Sequence, residues 1–331
     1  MSLHPWNEPL WRRLTADPAQ LPHALLLHGP AGTGKKALAL TLANWLLCEA
    51  PTDAGPCGRC DACGWFAQGN HPDFRLVEPL VEEEEEGREK VKAKKGARPI
   101  SVEQVREVLD FAVLSAHRGG WRVVLLHPAE SLNAAAANAL LKTLEEPPAG
   151  VMLILVAHRP RRLLPTVLSR CHKLAVPLPG FSVALDWLDT QGVADAESLL
   201  REAGGAPLAA LGLAEAERLR HRDALLAALA QPGRQDWPAL AQSLQTHLAD
   251  GWGWLSRWVH DLLACQAGTT PRYFPGHGRA LASLSQDGDA GRLWRLRQRL
   301  LDDGRWLHHP LNSQLLLESW LLDYQHALER P

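Results

Sequence analysis

Three short, unbroken apolar runs stand out along the chain: Ala24 to His28, Val123 to Leu126 and Met152 to Val156. Each has the length of a strand and lacks polar alternation, as expected for strands covered on both faces of a parallel sheet. Between them the apolar positions change to helical spacing. Val102, Val105, Val108, Leu109 and Ala112 recur along one face. That helix carries its own start signal, because Ser101 and Gln104 make a capping box and Ile100 and Val105 occupy the two positions of a hydrophobic staple. A second helix is expected from about Asn133 to Glu146, where Pro147 and Pro148 stop it. Strands alternating with helices predict an α/β domain built on a mainly parallel sheet.

Beyond Pro177 and Pro179 the strand pattern ends, and Leu, Ala, Trp and Arg recur at helical spacing. Gly204-Gly205-Ala206-Pro207 and Gln231-Pro232-Gly233 interrupt this half, which predicts a small helical unit followed by a larger one. The expected division is 1–178 for the α/β domain, 179–214 for the small helical unit and 215–331 for the larger one. Leu293, Trp294, Leu296, Leu300 and Leu301 read as a core stripe of the last.

At 331 residues the chain is too long for a single hydrophobic core, and 46% hydrophobic residues suit a folded protein. The 35 Lys and Arg against 37 Asp and Glu give a net charge of −2, which argues against coating nucleic acid by bulk electrostatics. Glutamates run from Glu82 to Glu86 and are followed by Lys90, Lys92, Lys94, Lys95 and Arg98, the composition of a solvated loop whose two halves cancel. No apolar run is long enough for a membrane helix, since Leu38 to Leu47 is broken by Thr41 and Asn44. The N-terminus lacks the pattern of a secretory signal, so the cytoplasm is the expected compartment.

Two clusters carry candidate chemistry. Gly29-Pro30-Ala31-Gly32-Thr33-Gly34-Lys35-Lys36 follows an expected strand and opens an expected helix, the setting of a phosphate-binding loop. Its glycines would let backbone N–H groups converge on phosphate, and Lys35 would reach the terminal phosphates. The next residue of such a loop should supply a hydroxyl to magnesium, but here it is Lys36. The end of a neighbouring strand should supply an acidic partner, yet Val123 to Leu126 is followed by His127-Pro128-Ala129-Glu130. Glu130 reads as an acid at a helix start, displaced from the metal position. The second cluster is Cys48, Cys57, Cys60 and Cys63, enough thiolates to close a structural tetrahedral zinc site in an insertion at about 48–72. Cys265 reads as a small core residue.

The run Asn138-Ala139-Leu140-Leu141-Lys142-Thr143-Leu144-Glu145-Glu146-Pro147-Pro148, the glycine loop, the four cysteines and Ser169-Arg170-Cys171 together resemble the AAA+ subunits of bacterial clamp loaders, part of the DNA polymerase III holoenzyme. These motifs span about residues 22–176, and His309-Pro310-Leu311-Asn312 is similar to a late segment of such subunits. The resemblance implies an AAA+ module with a parallel sheet, a small helical lid and an all-α collar. It also implies a hetero-oligomeric ring with gamma/tau and delta subunits that loads a sliding clamp onto primer-template DNA. The degenerate loop is similar to that of the non-hydrolysing members, which act as scaffolds, with no independent enzyme activity expected. Where active relatives carry a polar Thr or Asn and a lid arginine, this chain has Ala157-His158 and Gly204-Gly205-Ala206-Pro207. Arg170 would then be an arginine finger acting in trans on a neighbour's ATP. Two other classes remain in play: an active P-loop ATPase or nucleotide kinase, which Lys36, His127 and Pro128 oppose, and a zinc-dependent nucleic-acid binder, which the net charge opposes.

Overall fold

The computed structural model describes residues 3–80, 98–114, 116–117, 120–307, 309 and 311–329. The charged run from Glu82 to Lys95 lies outside them. The described residues form two compact units, one ending at Pro179 and the other beginning at Gly180.

The first unit contains, in chain order, α1 (Glu8–Thr15), β1 (Ala24–His28), α2 (Lys35–Leu47), α3 (Asp61–Ala67), β2 (Phe74–Val77), α4 (Val102–Val113), β3 (Arg122–Leu126), α5 (Ala134–Glu145), β4 (Val151–Ala157), α6 (Pro165–Leu168) and β5 (His172–Ala175). The five strands form one parallel sheet in the order β2-β3-β4-β1-β5. Alternate side chains of the three central strands feed two separate cores. Leu26, Val124, Leu126, Leu153 and Leu155 pack beneath α4 and α5, while Leu25, Leu27, Val123, Leu125, Ile154 and Val156 pack against α1 and α2. Both faces are therefore apolar, which is why these strands are continuous hydrophobic runs.

The capping box at Ser101 forms as expected, with Ser101 Oγ accepting from Gln104 N and Gln104 Oε1 accepting from Ser101 N. Helix α5 begins at an Asn133 cap, whose Oδ1 accepts from Ala136 N at 2.7 Å. The pattern along the chain did not mark β2 and β5. They are the edge strands, and only Val77 and Leu174 in them are buried, so neither presents an apolar run.

In the second unit, α7 (Phe181–Thr190), α8 (Ala196–Glu202) and α9 (Pro207–Leu213) surround a cluster of Ala184, Leu188, Leu199, Leu200 and Ala210. A larger cluster is built by α10 (Ala216–Leu229), α11 (Trp237–Ser243), α12 (Leu248–Gln266), α13 (Gly278–Asp287), α14 (Ala290–Asp303) and α15 (Ser313–Leu328). Its centre holds Trp254, Trp258, Trp320 and Tyr324, and their polar atoms are satisfied internally. Trp258 Nε1 donates to the Tyr324 hydroxyl at 2.9 Å, which donates to the Leu229 carbonyl at 2.6 Å. The buried Glu202 carboxylate accepts from Trp254 Nε1 at 2.8 Å and from Arg222 at 3.1 Å. Buried Asp261 accepts from the backbone N–H groups of Arg272, Tyr273 and Phe274, fixing the loop after α12. Leu293, Leu296 and Leu300 are buried as the stripe requires, whereas Trp294 and Leu301 are more than half exposed. These two lie seven residues apart on an adjoining face of α14, outside the arc that a helix of 3.6 residues per turn can bury here. No helix among the described residues is long and apolar enough to cross a membrane.

Candidate functional site

The glycine loop joins β1 to α2, as the sequence predicted for a phosphate-binding turn. Gly29 runs so close to the Val176 carbonyl that a Cβ there would collide with it, and its φ is +150°. Gly34 caps α2 at φ +80°, with the His4 and Asn7 side chains lying where its Cβ would be. The N-terminal segment closes on the loop from that side. Trp6 Nε1 and Asn7 Nδ2 each donate to the Thr33 carbonyl at 3.0 Å.

Lys35, expected to reach outward to phosphates, is turned inward and buried. Its ammonium donates to the Pro30 carbonyl and lies 3.4 Å from Thr33 Oγ1, which itself donates to Pro30 O at 3.1 Å. Burial pushes the Lys35 pKa down to about 8, and the Glu130 charge opposes that shift. The Thr33 and Lys35 side chains are thus both engaged by the loop's own Pro30 carbonyl.

Lys36 and His127, the two departures from a magnesium site, meet at one carboxylate. Lys36 Nζ lies 2.7 and 2.9 Å from the two oxygens of Glu78, and His127 Nδ1 lies 2.7 Å from Oε1 of the same residue. Burial would raise the Glu78 pKa, but the hydrogen bonds and charges of Lys36 and His127 outweigh it and hold the carboxyl below its ordinary value. Glu78 follows directly on β2, an edge strand hydrogen-bonded to β3, so parallel register brings it beside His127. Sequence reasoning missed it because β2 was not recognised. The signal was an acid immediately after Phe74-Arg75-Leu76-Val77.

Glu130 sits in the first turn of a short 3₁₀ helix, Ala129–Ser131, as read from the sequence, and its carboxylate also reaches beyond that turn. It accepts from the backbone N–H groups of His158, at 2.9 and 3.2 Å, and Arg159, at 2.9 Å. Pairing of β3 with β4 carries these amides next to it. Glu130 therefore fixes the end of β4, where the His158 ring packs edge-on against His127 with centroids 5.3 Å apart. The result is one continuous polar cluster of Lys35, Lys36, Glu78, His127, Glu130 and His158 along the carboxyl end of the sheet.

Arg170 follows α6. Its Nε donates to Glu145 Oε1 at 2.6 Å, a second guanidinium nitrogen reaches the same oxygen, and Nη1 donates to the Thr166 carbonyl at 2.9 Å. Glu145 ends α5, within the Leu144-Glu145-Glu146-Pro147 run. Both side chains are partly solvent-exposed.

Cys48, Cys57, Cys60 and Cys63 converge. Their sulfurs all lie within 4.8 Å of one another, and Cys48 Sγ and Cys60 Sγ are 3.9 Å apart. Zinc–sulfur bonds of about 2.3 Å in a tetrahedron place sulfurs roughly 3.8 Å apart, so the donor set fits that ion. Backbone N–H groups already point at two sulfurs: Cys57 N donates to Cys48 Sγ at 3.3 Å, and Cys63 N to Cys60 Sγ at 3.4 Å. Cys48 follows α2 and Cys60 caps α3, so an ion held here would tie these two helix ends together without leaving a coordination position for substrate.

The polar cluster has a pH signature. Burial, aided by the Lys35 charge, pushes the His158 pKa down from 6.5 to about 4, although Glu130 opposes the shift. In that window the unfolded chain binds a proton that the folded chain refuses. The contribution is therefore fully present above pH 6.5 and is lost as the pH falls through about 4. Urea unfolding across this range should show wild-type stability falling more steeply than that of His158→Asn. Equal slopes would contradict the assignment.

The matches to known proteins follow the same division of the chain. The family model described as DNA polymerase III, delta subunit, matches residues 9–179. Its C-terminal counterpart, described as DNA polymerase III, delta subunit, C terminal, matches residues 216–326. The DNA polymerase III subunit delta' of Escherichia coli is 33% identical over 347 aligned positions, which cover 99% of this chain and 97% of that protein. The subunit delta' of Pseudomonas aeruginosa is 47% identical over 212 positions, 63% of this chain and 60% of the relative. The Escherichia coli subunit tau is 38% identical over 149 positions, 45% of this chain and 20% of the relative. With an α/β P-loop module, a helical second unit and a relative matched almost end to end, the chain belongs to the DNA polymerase III delta' subunit family.

Proposed function

We propose that this chain is the non-hydrolysing scaffold of a clamp-loader ring, assembling with gamma/tau and delta subunits to place a sliding clamp on primer-template DNA. The observation that carries the reading is the Lys36–Glu78–His127 cluster. An ordinary P-loop site offers magnesium a hydroxyl and a carboxylate. Here an ammonium and an imidazole take those positions, and Glu78, the acid beside them, is already engaged by both. The residues present do not fit a magnesium–triphosphate centre, and Lys35 is engaged by its own loop. The P-loop fold serves in this reading as architecture, and any bound nucleotide would not turn over.

The same reading gives Arg170 its task. A guanidinium entering from outside stabilises charge building on a transferred phosphoryl group, an effect of about 10³ to 10⁵ in rate where such fingers act. The Glu145 pair does not prevent this, because a partly exposed ion pair contributes about 0–1 kcal/mol, little beside the attraction of a triphosphate. Glu145 would hold the side chain ready and release it to the neighbour's ATP. In a ring assembled with gamma/tau and delta, Arg170→Ala should leave assembly intact while hydrolysis at the adjacent ATP site falls by about 10³-fold or more, the lower reach of such effects, and DNA-stimulated clamp loading falls with it. Unchanged rates would leave Arg170 with only its intramolecular pairing.

We further propose that the four cysteines hold one structural zinc. The ion would neutralise the thiolates and pin a segment that has little core of its own. Protein purified without chelator should contain this zinc, and Cys60→Ser Cys63→Ser should lose it while the sheet's circular dichroism is retained. Equal zinc in the two proteins would refute the assignment.

A further inference from the structure

A second group of metal-ligating side chains lies in the helical unit, away from the cysteines in sequence and chemistry. Glu217 and His221 are four residues apart on α10 and so share one face. His247 lies just before α12, and the ligand atoms of all three residues fall within 4.8 Å of one another. We propose that Glu217, His221 and His247 form a zinc site that clamps α10 to the turn entering α12.

Three observations support it independently of the reading of the nucleotide loop. The first is ring geometry. Two imidazoles bound to one tetrahedral ion, with nitrogens about 2.0 Å from it, have centroids roughly 5.2 Å apart. The rings of His221 and His247 are 4.6 Å apart and inclined by 38°, so little more than a small rotation separates them from a shared ion. The second is that, among the described residues, Glu217 and His221 have no competing polar partner and His247 is not used as a helix cap. His247 occupies the cap position of α12 without making a capping hydrogen bond. Among the described residues, neither the Glu217 carboxylate nor the His221 ring has a hydrogen-bond or ion-pair partner.

The third is an outer partner. Asp250 Oδ2 lies 3.7 Å from His247 Nδ1, and Asp250 is held in place by Arg218. Drawn in to hydrogen-bond distance, a carboxylate at one ring nitrogen orients the other toward an ion and raises its basicity, the arrangement commonly found behind metal-bound histidines. The same pairing occupies Arg218, the cation next to Glu217 in sequence, so that its charge is not directed at the site. Ligand type selects the ion. Two imidazoles and one carboxylate suit zinc or a neighbouring transition metal, whereas calcium and magnesium take oxygen donors. Three protein ligands leave a fourth position for water. The 4.8 Å limit exceeds the roughly 3.3 Å between donors on a tetrahedral zinc. Rotation of the exposed Glu217 side chain is the adjustment that closes it.

The test compares the tag-free, full-length chain with His221→Ala His247→Ala and with Asp250→Asn by equilibrium dialysis against low micromolar zinc. Because the readout is a difference, it does not depend on how much metal the cysteines hold. The wild type should bind one equivalent more than the double variant, and zinc should raise the melting temperature of the wild type by more than that of the double variant. Asp250→Asn should keep the stoichiometry but bind the additional ion about 10- to 100-fold more weakly. Should the double variant unfold, His247→Gln serves in its place, since glutamine retains a polar side chain at the surface position. Equal zinc content in the folded variant and the wild type would overturn the site and leave His221 and His247 as a ring contact only.

Discussion

The carboxylate of Glu78 is the point on which the nucleotide-loop end of this molecule turns. It receives Lys36 from the start of α2 and His127 from the end of β3, so one acid links the helix after the glycine loop to the sheet. As a surface-accessible pair its contribution to stability is modest, about 0–1 kcal/mol. Its consequence is positional. Two groups that supply no oxygen ligand to magnesium, and that would repel each other if His127 were protonated, are brought side by side because the acid lies between them. Remove it and Lys36 is left half-buried beside an imidazole with no counter-charge.

The surrounding architecture makes that meeting possible. All five strands run parallel, so the ends of β1, β2, β3 and β4 come to the same edge of the sheet and carry Gly29, Glu78, His127 and His158 there. A parallel α/β sheet gathers ligands at this edge by construction. In the proposed reading the fold retains this gathering while most of the gathered side chains engage one another or the backbone: Lys35 with Pro30, Lys36 and His127 with Glu78, and Glu130 with the amides of His158 and Arg159. Such self-satisfaction suits a scaffold. A polar cluster with its partners already in place resists rearrangement, because breaking any one contact strands a partly buried group.

How much of this could be read along the chain depended on burial. The central strands and α4 with its capping box follow from local pattern, since strands covered on both faces leave an unambiguous apolar run and a capping box is a short-range signature. The edge strands β2 and β5 left no such mark, and with β2 went Glu78. The convergence of the four cysteines was legible because they are close in sequence. Glu130 was legible as a residue but not in its role, because the amides it caps lie 28 and 29 positions away and are brought near only by the pairing of β3 with β4. The group on α10 and before α12 was not visible for the same reason: Glu217 and His221 are an unremarkable pair until the fold returns His247 beside them.

The central claim is that these substitutions leave the P-loop fold without its hydrolytic chemistry. Steady-state magnesium-ATP hydrolysis by the purified, isolated chain tests it most directly. The account predicts no turnover above the level that Lys35→Ala also shows, because both positions that would hold the metal are joined to Glu78 instead. Turnover at a rate ordinary for an AAA+ ATPase, abolished by Lys35→Ala, would contradict it.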